Sequence, residues 1–274
     1  MHKFPHAKVA FLSSLKVKHS KHGARSVIDK LIMGNIDRLT FHPESDDVLD
    51  IGCGTGYGSV LIGSRVRSVV GIETDASKLE VAKRDYPADN VTYVKVDSIE
   101  DLGENFNKWR NGFDKVVCLC ALYFVPDVEA VLRNAFDCLK PGGESLVIMP
   151  HDDHNLFQGA LDFMLKHEEW KAFLKGFNNP LCLWKRNEQE TQEFFTAGGW
   201  SDVSCEVQRV NLIHNAERAK LILWDMMGHV DQVDAAKREK CLEDLWQWAR
   251  GEYQHTEDGS IIKPADWMVI HARK

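Results

Sequence analysis

The sequence predicts an α/β fold in which helices cover both faces of a mainly parallel β-sheet. Two observations indicate this fold class. Short apolar runs alternate with helical patterns over the first 150 residues or so, as is typical of parallel strands joined by crossover helices. A glycine-rich loop follows the first strong apolar run, as in α/β proteins that bind nucleotides.

The elements follow one another in a regular order. Helical spacing of apolar residues predicts a first helix over 24–39. Beyond Met149 the rhythm changes, with helical stretches at 155–176 and 215–253. The predicted strands are 47–51, 68–73, 91–96, 113–119, 144–149, 200–214 and 266–272, and the predicted helices between them are 57–62, 76–85 (capped by Asp75 or Ser77) and one that begins at Pro126-Asp127 and ends at Pro141-Gly142-Gly143.

The glycine loop indicates which kind of ligand the fold binds. Gly52, Gly54 and Gly56 allow a tight turn and a close approach of the backbone to a ligand. A dinucleotide fold has Gly-x-Gly-x-x-Gly, so the third glycine here comes one residue early. No Lys-Ser/Thr pair follows the loop, which excludes a P-loop. Taken alone, the loop also fits a glycine turn in an unrelated α/β protein.

Acidic residues stand at the ends of three successive predicted strands. Asp50 lies two residues before the first glycine, Glu73 ends the second strand, and Asp97-Ser98 ends the third. A carboxylate at the end of the second strand can accept two hydrogen bonds from ribose hydroxyls. Because the carboxyl ends of parallel strands meet at one edge of a sheet, we expect these residues to line one ligand site.

Acid, apolar residue and Gly-x-Gly-x-Gly together resemble the class I S-adenosylmethionine-dependent methyltransferases. The resemblance implies an α/β, Rossmann-like class I methyltransferase fold, with a mainly parallel seven-stranded sheet, an antiparallel C-terminal strand and a helical lid insertion. It implies S-adenosyl-L-methionine as cofactor, S-adenosyl-L-homocysteine as product, and no metal. The cofactor-binding residues that it implies are Asp50 for the methionine ammonium, Gly52, Gly54, Gly56, Glu73 for the ribose, Asp97 for the adenine amino group, Ser98 for the adenine ring through its backbone N–H, and Cys118 through its backbone carbonyl.

A more specific resemblance concerns the methyl acceptor. The segments 120–125, 198–200 and 267–274, the segment around Trp170 and the N-terminal helix are similar to the arthropod juvenile hormone acid methyltransferases. Those enzymes methylate the carboxylate of farnesoic acid or juvenile hormone acid. The family usually has His-Trp where this chain has Tyr123-Phe124, and a Gln roughly where His19 or Ser20 stands. These departures concern the acceptor and not methyl transfer itself.

The family resemblance implies an O-methyltransferase that esterifies a small, mainly apolar acid. A carboxylic acid has a pKa of about 4.3 and is ionised at neutral pH, so the enzyme needs no general base. Tyr123, His19 and Trp184 are expected to orient the carboxylate, and Phe124 and Trp224 to line the substrate pocket. Two alternatives stay open, a cofactor-binding protein without catalysis and a small-amine N-methyltransferase, whose base would come from Glu168, Glu169, Asp225 or His151.

Domain organisation and partners follow from length and composition. We expect one methyltransferase domain over 1–274, and the net charge of -7 disfavours a nucleic-acid partner. No apolar run reaches the roughly 18 residues of a membrane span. Seven cysteines, most of them in buried-looking patterns, indicate reduced thiols and a cytoplasmic location. As partners we expect a small-molecule acceptor, and as assembly a monomer or a homodimer. Within the domain we expect a cofactor half at 40–150, an acceptor-side lid at 151–199 and 215–255, and C-terminal strands at 200–214 and 266–272.

Overall fold

The computed structural model describes residues 24–151, 156–174, 182–226, 233 and 235–274. The chain divides into two compact units. Of the described residues, the larger unit comprises 28–151, 182–209 and 266–274, and the smaller comprises 24–27, 156–174, 210–226, 233 and 235–265.

The strands form a single sheet whose order is β3-β2-β1-β4-β5-β8-β6, with β7 paired to β8. The pairs β1–β2, β1–β4, β2–β3 and β4–β5 are parallel, and β5–β8 is antiparallel. This arrangement confirms the predicted Rossmann-like fold. The strands are β1 (Asp47–Ile51), β2 (Ser68–Glu73), β3 (Val91–Lys95), β4 (Phe113–Leu119), β5 (Leu139–Pro150), β6 (Ser201–His214), β7 (Gln254–His255) and β8 (Ile261–Arg273).

Several of the described helices begin at residues whose side chains cap them. Asp75 accepts a hydrogen bond from the Ser77 backbone N–H and caps the third helix, as predicted. Asn187 and Glu190 form a reciprocal capping box at the seventh. The helices are α1 (Ala24–Ile36), α2 (Tyr57–Gly63), α3 (Ala76–Asp85), α4 (Glu104–Trp109), α5 (Val128–Cys138), α6 (Leu156–Lys166), α7 (Glu188–Ala197), α8 (Ala216–Met226) and α9 (Ala235–Glu252).

The strand order places a topological switch point between β1 and β4. From β1 the sheet grows through β2 to β3, and the chain then returns to add β4 on the other side of β1. Loops that leave the carboxyl ends of β1 and β4 therefore diverge, which opens a crevice for a ligand. The apolar core lies beneath it, with Leu49 and Ile51 of β1 completely buried.

Some element boundaries differ from the prediction. Helices α4 and α7 were not predicted, and the stretch 215–253 contains two helices, α8 and α9, instead of one. The segment 155–176 contains α6 and a short 3-10 turn at Lys171–Leu174.

Strand β5 begins at Leu139 instead of Glu144, so it includes the predicted helix stop at 141–143. The β4–β5 register changes from Phe113↔Leu139 to Lys115↔Glu144, and this bulge absorbs the extra residues. Strand β8 likewise begins at Ile261, before the predicted residue 266.

In the smaller unit, aromatic side chains pack between helices. The Trp170 indole N–H donates to Asp244 Oδ2 of α9 over 3.0 Å. Phe163 of α6 stacks on Trp248 of α9 with ring centroids 5.9 Å apart. These contacts join α6 to α9 within this unit.

Candidate functional site

The loop after β1 has the backbone conformation that its glycines allow. Gly52, Gly54 and Gly56 have φ angles of 74°, 55° and 91°, in the left-handed region that favours glycine. A Cβ on Gly52 would lie 2.5 Å from Ala121 Cβ, and one on Gly56 would lie 2.5 Å from Tyr93 Oη. A Cβ on Gly54 would meet no described atom within 4 Å. The loop is therefore packed at its two ends and open at its centre.

Asp50 lies directly beneath this loop and is buried. Its Oδ2 accepts a hydrogen bond of 2.6 Å from the Ser59 hydroxyl of α2. Burial raises the pKa of the Asp50 carboxyl to about 6, the Ser59 hydrogen bond lowers it, and the negative charge of Glu73 raises it. At neutral pH most Asp50 side chains therefore carry a negative charge that a cationic ligand group can neutralise.

Glu73 ties the end of β2 to the glycine loop. Its Oε2 accepts the Gly54 N–H over 3.1 Å, and its Oε1 accepts the N–H groups of Thr74 and Asp75 over 2.8 Å and 3.0 Å. Lys78 Nζ lies 3.9 Å from Oε2. These contacts, with a hydrogen bond of 3.2 Å from the Thr74 hydroxyl to Oε1, fix the plane of a buried carboxylate. A ribose diol would take the remaining lone pair of Oε2 and replace the Thr74 hydroxyl on Oε1.

The end of β3 presents a different arrangement. The Asp97 side chain is fully exposed and pairs with Lys95 Nζ over 3.1 Å. Ser98 Oγ accepts the backbone N–H groups of Glu100 and Asp101 over 3.0 Å and 3.2 Å, so this hydroxyl shapes the following turn. Strand β3 ends at Lys95, one residue earlier than predicted, so Asp97 lies two residues beyond it, and its exposed carboxylate is held less firmly than that of Glu73.

The end of β4 lies against the glycine loop. Cys118 is buried beside Val147 of β5, and its pKa is raised by burial and by the charge of Asp50. Cys120 has a φ of 60°, and its N–H donates to Ile148 O over 2.8 Å. Because Ala121 then touches Gly52, the segment that follows β4 forms the second wall of the crevice.

Tyr123 lies in a short 3-10 turn on this wall. Its hydroxyl makes no hydrogen bond within the described part of the chain, and burial raises its pKa well above the ordinary range. The Phe124 ring lies 6.2 Å from the Tyr123 ring. The Trp267 ring of β8 meets Tyr123 edge-on with centroids 5.4 Å apart.

Trp267 is a candidate site residue that the sequence reasoning did not assign. It is buried, and its indole N–H has no hydrogen-bond partner among the described residues. A buried unpaired donor costs roughly 1–3 kcal/mol, and such groups call for a functional explanation. Trp267 pairs with Pro150 at the end of β5, so it lies at the carboxyl edge of the sheet. No local pattern in the sequence signals this contact.

The structure does not support Trp184 as an acceptor-orienting residue. Its indole N–H donates to Thr191 Oγ1 over 2.8 Å inside the core. Arg186 covers the ring with its guanidinium 4.7 Å from the ring centroid. Since the donor is already engaged, Trp184 fits a structural role. His19 and the Trp224 side chain lie outside the described residues.

The candidate bases for an amine acceptor are mostly engaged elsewhere. Glu168 pairs with Lys171, and Glu169 pairs with lysines of α9. His151 Nδ1 lies 2.7 Å from the Trp184 carbonyl oxygen. The Asp225 side chain lies outside the described residues. In the described segments, no cluster of three His, Cys, Asp or Glu side chains has the geometry of a metal site.

Among the helices with described residues, none is long and apolar enough to cross a bilayer.

Comparison with known proteins agrees with this geometry. Residues 42–199, more than half of the chain, match the model of a methyltransferase domain family. The ubiquinone biosynthesis O-methyltransferase of Pseudomonas fluorescens is 37% identical over 99 residues, which are 35% of this chain and 41% of that protein. The chain spans less than half the length of the first curated relatives that it matches.

Solved structures share the fold. A putative methyltransferase from Bacillus halodurans superposes with a TM-score of 0.56 at 16% identity, over 91% of this chain and 99% of that one. Phosphoethanolamine N-methyltransferase 2 of Haemonchus contortus, solved with phosphomonomethylethanolamine and S-adenosylhomocysteine, has a TM-score of 0.53 at 20% identity, over 89% and 52%. With the strand-end acids and the glycine loop in place, the matched domain shows that the chain belongs to the methyltransferase domain family.

Proposed function

We propose that this chain is an S-adenosylmethionine-dependent O-methyltransferase that esterifies a small, mainly apolar carboxylic acid, such as farnesoic acid or juvenile hormone acid. The observation that carries methyl transfer is the cradle of Asp50, the glycine loop and Glu73. It combines a buried anion for a cationic amino-acid end, an open backbone at Gly54, and a fixed carboxylate for a ribose diol. S-adenosylmethionine carries both the ammonium and the ribose diol that these two carboxylates complement.

Methyl transfer to an ionised carboxylate requires little from the protein beyond positioning the two reacting groups. The cofactor supplies a methyl group on a sulfonium, and an ionised carboxylate oxygen of the acceptor forms the new C–O bond as the S–C bond breaks. The protein must align the two groups and exclude water. Tyr123 and Trp267 support a carboxylate acceptor, because their rings are in contact, Tyr123 carries an O–H donor, and the Trp267 indole N–H has no hydrogen-bond partner among the described residues.

A second candidate function is methyl transfer to a small amine. One observation favours it. The pKa of the Cys120 thiol is raised mainly by burial and secondly by the negative charge of Asp29 in α1. Cys120 lies close to Tyr123 in the chain. A negative charge that acts on Cys120 favours a cationic amine over an anionic acid as the acceptor.

A transfer assay with tritiated S-adenosylmethionine separates these functions. Farnesoic acid, a saturated fatty acid and a panel of small amines are offered as acceptors, and base-labile methyl esters are extracted and counted. Label in esters supports the proposal, whereas label only in amines overturns it in favour of the second candidate. Cofactor binding without any transfer would indicate a binding protein.

Variants then test the acceptor wall. Tyr123→Phe removes one donor and keeps the ring, so kcat/KM for the acid should fall about tenfold. Trp267→Phe removes the indole donor and also part of a buried ring, so kcat/KM should fall by at least as much. The affinity for S-adenosylhomocysteine should stay unchanged. Tyr253→Phe is the matched control, since its ring packs on Trp248 in the smaller unit. Weaker cofactor binding in Tyr123→Phe would remove Tyr123 from the acceptor wall.

A further inference from the structure

The buried pair of Asp50 and Ser59 has a geometry that bears on how the cofactor is held. Ser59 lies on the first turn of α2 and is completely buried. Its hydroxyl donates to Asp50 Oδ2 over 2.6 Å, a length typical of a hydrogen bond to an ionised carboxylate. This hydrogen bond therefore fixes the orientation of the Asp50 carboxylate.

The packing around Ser59 leaves its hydroxyl little freedom. Gly71 of β2 pairs with Asp50 of β1. A Cβ on Gly71 would lie 2.9 Å from Ser59 Oγ and 3.0 Å from Cys53 Sγ. The absence of a side chain at this position thus makes the space in which Ser59 meets Asp50.

Asp50 titrates among neighbours that carry little positive charge. Among the described residues, Glu73 is the one other carboxylate whose charge affects the pKa of Asp50. Lys78 Nζ lies 3.9 Å from Glu73 Oε2. Burial raises the pKa values of Cys53, Cys118 and Tyr93, so these groups stay neutral up to pH 8. The Ser59 hydrogen bond is accordingly the main local contact that favours ionised Asp50 over its neutral form.

We propose that Ser59 is a positioning residue that keeps Asp50 ionised and aimed at the cationic amino-acid end of the cofactor. This inference rests on the proposed function, because it requires that the cradle binds S-adenosylmethionine. Loss of the hydroxyl leaves the carboxylate buried without its donor, and a proton then neutralises it at a higher pH. Cofactor affinity therefore becomes more sensitive to acid.

The test measures the dissociation constant of S-adenosylhomocysteine by calorimetry from pH 5.5 to 8 for the full chain and for Ser59→Ala. The pH of half-maximal affinity should rise by about one unit. A midpoint that moves from about 6 to about 7 weakens binding about fivefold at pH 6 and changes it little at pH 8. Because the ligand's own ammonium titrates identically with both proteins, it cancels in the ratio of their dissociation constants.

Control variants separate tuning of Asp50 from damage to the fold. Ser64→Ala makes the same change at the exposed end of α2 and should leave the profile unchanged. Ser59→Cys keeps the volume with a weaker donor and should give an intermediate midpoint. In an Asp50→Asn background, Ser59→Ala should no longer change the pH dependence.

The outcomes are distinct. Wild-type protein that fails to bind S-adenosylhomocysteine at any pH refutes the proposed function. Wild-type binding with the same midpoint in Ser59→Ala refutes only the role of Ser59. A loss of affinity that is equal at pH 6 and pH 8, or that persists in the Asp50→Asn background, shows that Ser59 acts through packing alone and also overturns the inference.

Discussion

Replacing Glu73 with alanine tests the cofactor cradle most directly. In the structure Glu73 performs two tasks with one carboxylate. It accepts three backbone N–H groups, from Gly54, Thr74 and Asp75, and it faces the position proposed for the ribose. Glu73→Ala should therefore weaken both the fold around the loop and the binding of S-adenosylhomocysteine.

The two effects have different sizes. Two lost ribose hydrogen bonds are worth about 2 kcal/mol, which corresponds to a roughly 30-fold larger dissociation constant. The stability of the fold is affected separately. Thr74 is exposed, so water can replace Glu73 as the acceptor for its N–H. The Gly54 N–H, in contrast, loses the acceptor that ties the glycine loop to β2. We expect a loss of about 2 kcal/mol in the free energy of unfolding, or a Tm lower by about 4–8 °C.

Calorimetric titration gives the affinity, and thermal unfolding without ligand gives the stability. Glu73→Gln retains one neutral acceptor oxygen and should fall between wild type and Glu73→Ala in both measurements. Glu80→Ala removes an exposed carboxylate from the neighbouring helix α3 and should change neither. The reasoning is refuted if folded Glu73→Ala binds S-adenosylhomocysteine as tightly as wild type, or if Glu80→Ala loses as much affinity.

Three further predictions concern single groups. Asp50 has a pKa of about 6 against an ordinary 3.8, so its contribution to stability is present below about pH 4 and is lost as the pH rises through 6. Asp50→Asn should remove up to about 3 kcal/mol of the change in unfolding free energy, measured in urea, between pH 4 and pH 7. The same pH dependence in wild type and variant would contradict this. Trp184→Phe should cost about 2–4 kcal/mol of stability, because it removes part of a buried ring and a hydrogen bond, and Thr191→Val about 1–3 kcal/mol, because it leaves the indole N–H unpaired. Neither should change kcat, and a large loss of kcat with normal stability would return Trp184 to the site. Burial and two nearby cations, Arg218 and Lys263, lower the pKa of His214 to about 3. The contribution of neutral His214 to stability is therefore present above pH 6.5 and is lost as the pH falls. His214→Leu should unfold at a lower pH than wild type in an acid titration, and an equal midpoint would contradict this prediction.

The cofactor side of the site was largely predictable from the sequence. Asp50, the three glycines and Glu73 follow directly after apolar strand patterns, so local spacing alone places them at strand ends. A parallel sheet then brings those ends to one edge. Asp97 was placed in the same way, but its exposure and its pairing with Lys95 depend on how the chain leaves β3.

The acceptor side was less predictable, because its contacts join distant parts of the chain. Trp184 and Trp267 have the same donor group, and nothing in their local sequence distinguishes them. In the fold, the first donates to Thr191, and the second lies unpaired beside Tyr123. Which indole N–H remains available is decided by packing, and packing follows the three-dimensional neighbours.

By itself, then, the sequence determined the sheet, the order of its strand-end acids and the kind of cofactor, since strand periodicity and glycine spacing are local properties. Only the tertiary structure decided how those acids are held. Ser59 reaches Asp50 because α2 packs against the neighbouring strand β2, and Glu73 is fixed by N–H groups of two separate loops. Hydrogen-bond geometry and burial set the charge of such groups, and both arise only when the elements pack together.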